Sequence, residues 1–541
     1  MAETSIFGIN SNLDTQDIIN KLVLLEARPL EIVDAKRAIE SAKLTGFQDL
    51  KSRLQTFKSA VTNINTTSRL LSSEGNFSNN NALDVNQVVD ITTTSQTSSG
   101  TFSFAVSQLA TESKIISAGF ATTTTEIKRG QFSIEIGGTT QYIKIDDSND
   151  TLDGLRLAIN NSGANVKASF LNDGATTDPV RLLVSGTKTG SDNAVTVRHF
   201  NSLIGAGDVD ATTFTQTQTG QNASLVVDGV SISKSSNTVT DVLDGAALTL
   251  KSAGSGVITL ATDFDDIQNK ITDFVDAYND LVLHLKDELA LDIGKDETGV
   301  LFGNFTVQNL QQTLRDSVTS QVQGVTGDYQ YLAQIGIKTQ SDGTLLVDTG
   351  DLADALTTDV TNVSQLFAST GATTSTSVTF VGFTNDTVAG TYDLQVSNGT
   401  PQLSNENANT FVNATGSGNF FAGASGTDAN GLNFRISTVT NGTFGTITIS
   451  LGIAETLNRV LINLTDTSLN GPLSAEIDTA TDSIRDFDET ILEMEERLLL
   501  FEENLKERFT NLEIVLGRLN SQKDAFDNAL PGIQSLFSGK R

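Results

Sequence analysis

Residues 477–526 read IDTATDSIRD FDETILEMEE RLLLFEENLK ERFTNLEIVL GRLNSQKDAF. Every seventh position is apolar: Ile477, Ile484, Ile491, Leu498, Leu505, Leu512, Leu519 and Phe526. A second apolar row runs through Ala480, Phe487, Met494 and Phe501, then slips by one residue to Phe509, Leu516 and Leu530. A seven-residue period places both rows on one stripe of a long helix, and such a stripe calls for a partner helix. The positions between the rows are charged, among them Glu493, Glu495, Glu496, Arg497, Glu502, Glu503, Lys506, Glu507 and Arg508, and form a solvated face. At about 1.5 Å per residue the rod is roughly 75 Å long, too long to bury its stripe inside a compact domain. Gly471-Pro472, with Ser474 as a cap, and Pro531-Gly532 are expected to bound it.

The other end of the chain offers the partner. Asp14 or Thr15 can cap a helix beginning near Asp17, in which Ile18, Leu25, Ile32 and Ile39 repeat at seven with Leu22 beside them. Beyond Gly46 the phase slips, and Leu50, Phe57, Ile64 and Leu71 repeat at seven alongside Leu54 and Val61. Pro29 falls inside the pattern, so a kink or break is expected at Arg28-Pro29. The alternative for either terminus is an ordinary core-facing amphipathic helix, although stripes this long are unusual in globular helices. The expectation is that the termini pair with each other and with copies of themselves.

Composition narrows the function. The chain has 541 residues, too many for one core. It carries 65 Asp plus Glu against 35 Lys plus Arg, a formal charge of −30, with no basic tail. That argues against nucleic acid or an anionic membrane surface as a partner. The absence of cysteine excludes disulfides, thiolate metal sites and cysteine nucleophiles. The opening residues include Glu3 and no apolar core, so they do not read as a Sec signal. No apolar run is long enough to span a bilayer.

Between the helical ends the text changes to Thr, Ser, Asn and Gly. From about Asn81 to Phe264 it reads as strands, with period-two alternation at 101–106 and 131–136. Two polar tracts, 122–125 and 215–220, read as linkers around a nested domain holding a short capped helix at 151–160. Period seven returns at Phe264, Ile271, Tyr278 and Leu285. A hairpin is expected around 341–343. The predicted class is α+β and multidomain, with five parts. These are a terminal coiled-coil stalk (1–44 and 473–541), a helical and β middle domain (45–72, 264–372 and 431–472), a β-rich head (73–125 and 213–263), a nested β-rich head (126–212) and a small β-rich insert (373–430).

Enzyme chemistry is absent from the text. His199 and His284 are the two histidines, and His284 reads as a packing or surface residue. There is no Walker loop, nucleophile elbow or zinc-protease motif. Residues 186–190, GTKTG, sit between strands and read as a turn. Asp263, Asp265 and Asp266 read as favourable charge at a helix N-terminus. No catalytic residue, cofactor or metal ligand is assigned.

An ordered set of motifs resembles one family. Ile9-Asn10-Ser11-Asn12-Leu13-Asp14-Thr15-Gln16-Asp17-Ile18-Ile19 and Leu25-Glu26-Ala27-Arg28-Pro29-Leu30 are similar to the opening of flagellar hook-associated protein 2, the filament cap family. Val227-Asp228-Gly229-Val230, Ser236-Asn237-Thr238 and Asp244-Gly245 resemble its central block. Ile335-Gly336-Ile337 through Gly343-Thr344-Leu345 resembles its middle helical domain. Residues 151–160 and 181–197 look like a repeat shared by flagellin and hook-associated proteins. The resemblance implies a protein exported unfolded by the flagellar type III apparatus without a cleaved signal. It also implies an extracellular place at the flagellum tip and a homo-oligomeric ring, commonly of five copies. The head domains would form a plate, and the terminal helices legs that meet flagellin. Implied partners are flagellin, the hook–filament junction proteins and a flagellar export chaperone. Alternative readings are a surface adhesin that binds glycans, host surface or mucin through its head, and a junction protein. The helical leg and assembly interface is assigned to Ile18, Leu22, Leu25, Ile32, Ile39, Ile477, Ile484, Ile491, Leu498, Leu505, Leu512, Leu519 and Phe526.

Overall fold

The computed structural model describes residue 8 and residues 13–80, 87–200, 214–292, 297–325, 327–405, 410–465 and 471–538. The chain begins with α1 (Thr15–Glu26), capped by the Asp14 carboxylate, which accepts from the Asp17 backbone N–H at 3.0 Å. The break expected near Pro29 falls at Ala27, and α2 (Arg28–Ile64) starts with the proline in its first turn. There a missing N–H leaves no helical hydrogen bond unmade. A single turn, α3 (Thr67–Leu70), leads into the strands.

Thr66–Lys270, with Leu356–Val360, is one compact unit. It is built from β1 (Ser73–Asn79), β2 (Val89–Thr93), β3 (Gly100–Gln108), β4 (Glu112–Ile116), β5 (Gly130–Ile136), β6 (Thr139–Ile145), α4 (Leu152–Asn161), β7 (Val166–Asn172), β8 (Val180–Thr189), β9 (Thr196–Phe200), β10 (Thr215–Gln218), β11 (Ala223–Val227), β12 (Val230–Lys234), β13 (Thr238–Leu243), β14 (Ala246–Leu250) and β15 (Gly254–Thr262). Sheets β1-β15-β3-β11-β12 and β13-β14-β2 enclose Phe104, Val106, Leu225, Leu248, Ile258 and Leu260. Sheets β10-β4-β8-β7 and β6-β5-β9, with α4, enclose a second core of Phe132, Ile134, Leu152, Leu155, Ile159, Leu182 and Val184. The chain leaves the first core after β3 and returns to it at β11, so one β body is nested in the other. Alternation makes this possible: Phe132, Ile134 and Ile136 face inward while Gln131 and Glu135 face water.

Two local readings change. The 215–220 tract is no linker: β10 is an edge strand paired with β4, which draws 112–116 and 215–218 into the nested body. Residues 186–189 continue β8, with Gly186 paired to Val166, and the chain turns only at Gly190, where φ is 106°. Polar sequence without large apolar side chains conceals both strands.

The other unit comprises Met1–Asn65, Ile271–Ala355 and Thr361–Arg541. The heptad rows meet here. Phe47, Leu50, Leu54, Phe57, Val61 and Ile64 of α2 are buried, as are Ile271, Phe274, Tyr278, Leu281 and Leu285 of α5 (Phe264–Glu288). The Phe57 ring lies 5.8 Å from Phe274 and 6.0 Å from Tyr278. The short pair β16 (Leu291–Asp292) and β17 (Glu297–Thr298) precedes α6 (Phe305–Thr319). The expected hairpin, β18 (Ile337–Thr339) and β19 (Leu345–Val347), is pinned to α5 by Asn279, whose amide exchanges two hydrogen bonds with the Leu345 backbone at 2.7 and 2.8 Å. Next comes α7 (Thr349–Phe367), kinked at Asp359.

A β sandwich follows, larger than the 373–430 insert read from sequence. Its strands are β20 (Thr370–Thr373), β21 (Val378–Gly382), β22 (Gly390–Ser397), β23 (Thr400–Asn405), β24 (Val412–Asn413), β25 (Thr415–Ser417), β26 (Phe420–Ala422), β27 (Asn433–Ile436) and β28 (Gly442–Ser450). Sheets β20-β28-β22-β23-β24 and β21-β27-β26-β25 bury Tyr392, Leu394, Phe434, Ile436, Ile447 and Ile449. The chain then forms α8 (Gly452–Thr465) and the 67-residue α9 (Pro472–Ser538).

Both ends of α9 correct the sequence reading. Ser474 does not cap it: its hydroxyl has no partner among the described residues, and the helix opens on Pro472. Pro531 does not stop it. An interior proline removes its own N–H from the ladder and crowds the carbonyl four residues back, yet the helix runs through it to Ser538.

Candidate assembly interface in the paired terminal helices

The terminal helices are positioned by one antiparallel pairing. Arg37 of α2 is ion-paired with Asp488 of α9, and its second guanidinium nitrogen lies 3.5 Å from the other Asp488 oxygen. Nearer the tip, Arg497 of α9 approaches Glu26 of α1 at 3.9 Å. As numbers fall along α1 and α2, they rise along α9. The Asp488 hydrogen bond pushes the Arg37 pKa further above its ordinary value. Both pairs are half-exposed, so they set register more than they stabilise.

The stripe on α9 faces this partner over most of its length. Ala480 is buried, and Ile477, Ile484, Phe487, Ile491, Met494, Leu498, Phe501 and Leu505 are half-buried. Farther out, Leu512, Leu519 and Phe526 are exposed.

On α1 and α2 the row that meets α9 is not the one singled out by period seven. Thr15 and Ile19 are buried, and Val23, Leu30, Val33 and Leu44 are half-buried. The expected row lies one residue away. Ile18 is half-buried and Leu22 exposed, while Leu25, Ile32 and Ile39 are 57%, 59% and 56% exposed. One residue is about 100° around a helix, so α1 and α2 carry two apolar rows. One is closed by α9, and the other faces outward. Contiguous exposed apolar surface is rare on monomeric soluble proteins. Sequence reasoning also missed Arg37 and Asp488, which lie 451 positions apart and carry no local signal.

The groups singled out for chemistry have structural surroundings. The His284 Nε2 atom lies 3.4 Å from Asp49 between α5 and α2. The Asp263 carboxylate accepts from the Asp266 N–H at 2.9 Å, capping α5, and Asp266 pairs with Lys270 at 2.8 Å. Among the described residues there is no cluster of three metal-ligating side chains, and no helix is long and apolar enough to cross a membrane.

Comparison with known proteins follows the same outline. The family model described as flagellar hook-associated protein 2 N-terminus matches residues 11–113, and the one described as its C-terminus matches residues 220–521. The B-type flagellar hook-associated protein 2 of Pseudomonas aeruginosa is 30% identical over 396 residues, covering 68% of this chain and 81% of its own. Flagellar hook-associated protein 2 of Escherichia coli K12 is 32% identical over 403 residues, covering 70% and 83%. The crystal structure of the D1-D2-D3 domains of the Escherichia coli flagellar cap protein FliD is 28% identical, with a TM-score of 0.50 over 59% of this chain and 89% of that one.

Proposed function

This chain belongs to the flagellar hook-associated protein 2 family and is a flagellar cap protein, and from that premise we propose that it assembles into an oligomer at the filament tip. There it promotes flagellin folding and polymerisation and prevents loss of flagellin subunits. The chain works as a structural part, reaching the outside through the flagellar export route. The observation that carries this reading is the outward row of the leg, Leu25, Ile32 and Ile39, left exposed by the intrachain pairing. Ile477, Ile484, Ile491, Leu498 and Leu505 hold the leg together. Ile18, Leu22, Leu25, Ile32 and Ile39, with Leu512, Leu519 and Phe526, are offered to neighbouring copies or to flagellin.

The test replaces Leu25, Ile32 and Ile39 together by Asp in cells that depend on this chain. Each position then loses up to about 1.5–3 kcal/mol of burial at the assembly contact, with a new carboxylate buried in addition. The purified chain should keep its helicity, because these residues do not face α9. The cells should release unpolymerised flagellin and carry short filaments or none. Glu502→Asp with Glu503→Asp is the control on the charged face. Normal filaments from the triple variant would exclude the outward row as an assembly contact.

A further inference from the structure

We propose that the third β sandwich, β20 to β28, is a rigidly held arm of the helical core, locked in one orientation by Arg459. Arg459 lies on α8, outside the sandwich. Its Nη1 donates to the Thr387 carbonyl at 2.6 Å and its Nη2 to the Thr384 carbonyl at 3.1 Å, both in the loop between β21 and β22. The guanidinium also stacks on the Phe383 ring at 5.4 Å. Its Nε donates to Glu455 Oε1 at 3.2 Å. The other Glu455 oxygen accepts from the Asn65 amide, at the end of α2, at 2.9 Å. A polar chain thus runs from α2 through α8 into the sandwich.

The network is largely buried, with 16% of the Arg459 side chain and 7% of the Glu455 side chain exposed. A buried ion pair gains little stability over an apolar pair of the same volume, so its distinctive contribution is geometric. A five-donor planar fork fixes angles that apolar contacts do not.

The two connections leave no slack. The chain enters the sandwich two residues after α7, and Ser369 donates from its N–H and hydroxyl to the Asn65 carbonyl at 2.9 and 3.0 Å. It leaves through Gly452, whose φ is +63° and where an added Cβ would lie 2.3 Å from the Phe367 carbonyl oxygen. Gly324, in the segment after α6, packs so closely on β28 that a Cβ would lie 2.2 Å from the Ile449 carbonyl oxygen. Flexible tethering needs free linker residues; both joints here are short, and the Arg459 fork fixes the tilt that two short joints leave free.

The cysteine-free chain allows a direct test. Exposed Thr379 on β21 and exposed Ser52 on α2 are replaced by cysteine and spin-labelled, and their separation is measured by pulsed dipolar spectroscopy. The expected result is a single narrow distance. Arg459→Met should replace it with a broad distribution while β-type circular dichroism persists. Arg459→Lys keeps the charge beside Glu455 but lacks the fork, so it should also lose the narrow peak. It decides the matter alone if the Met variant does not fold. A broad distribution in the parent chain, or a narrow peak retained by the Lys variant, would overturn the proposal.

Discussion

At the scale of single residues, two buried tyrosines show how the same group can help or hurt. The Tyr392 hydroxyl shares its one proton between the Val388 and Asp428 carbonyls, at 2.6 and 2.9 Å. The Tyr278 hydroxyl is buried without a partner among the described residues. Leaving a buried polar group unsatisfied costs about 1–3 kcal/mol. Tyr278→Phe should therefore raise stability by about 1 kcal/mol, and Tyr392→Phe should lower it by about 1 kcal/mol, as read from denaturant midpoints. Burial pushes the pKa of both hydroxyls from 10.0 up to about 12. The sign follows from linkage: a pKa raised in the folded state gives stability that is complete below the ordinary value near 10 and is lost as pH rises through about 12. In an alkaline titration these two tyrosines should ionise after the exposed ones, near pH 12, and the Tyr278→Phe, Tyr392→Phe double variant should lose that late tyrosinate step.

At the scale of elements, the decisive fact is phase. Period seven reveals that a helix has a partner but not which of two adjacent apolar rows meets it. On α9 one row dominates, and the stripe was legible from Ile477 to Leu505. On α1 and α2, Leu25, Ile32 and Ile39 keep strict sevenfold spacing, whereas the seam residues Ile19, Val23, Leu30 and Val33 follow one another at four, seven and three. The fold resolves the choice: Ile19, Val23, Leu30 and Val33 are covered, and Arg37 pairs with Asp488 across the seam. Leu30→Asp with Val33→Asp should thus unzip the leg, each losing on the order of 1 kcal/mol of partial burial. Helical circular dichroism and resistance to proteolysis should fall together. The outward Leu25, Ile32 and Ile39 substitutions should change neither. The nested β bodies were legible because Phe132, Ile134 and Ile136 alternate with polar residues. The extent of the third sandwich was not, since its strands are short and rich in Thr, Asn and Gly. Its sheets also close only when β27 and β28, beyond residue 430, are added.

At the scale of the whole molecule, a helical scaffold is interrupted by β bodies, and each interruption leaves and rejoins a helix. The alignment with the Pseudomonas aeruginosa relative covers 81% of that protein but 68% of this chain, so this chain carries proportionally more residues outside the shared part. Its formal charge of −30 opposes close packing of copies, and the neutral outward row is where such packing is least opposed. The most direct measurement of the cap reading is electron cryomicroscopy of filament ends from cells in which this chain carries a small tag, with the tag located by labelled antibody. Label is expected at the distal end of each filament, with none along the shaft. Label confined to the hook–filament junction, or filament ends without it, would contradict the account.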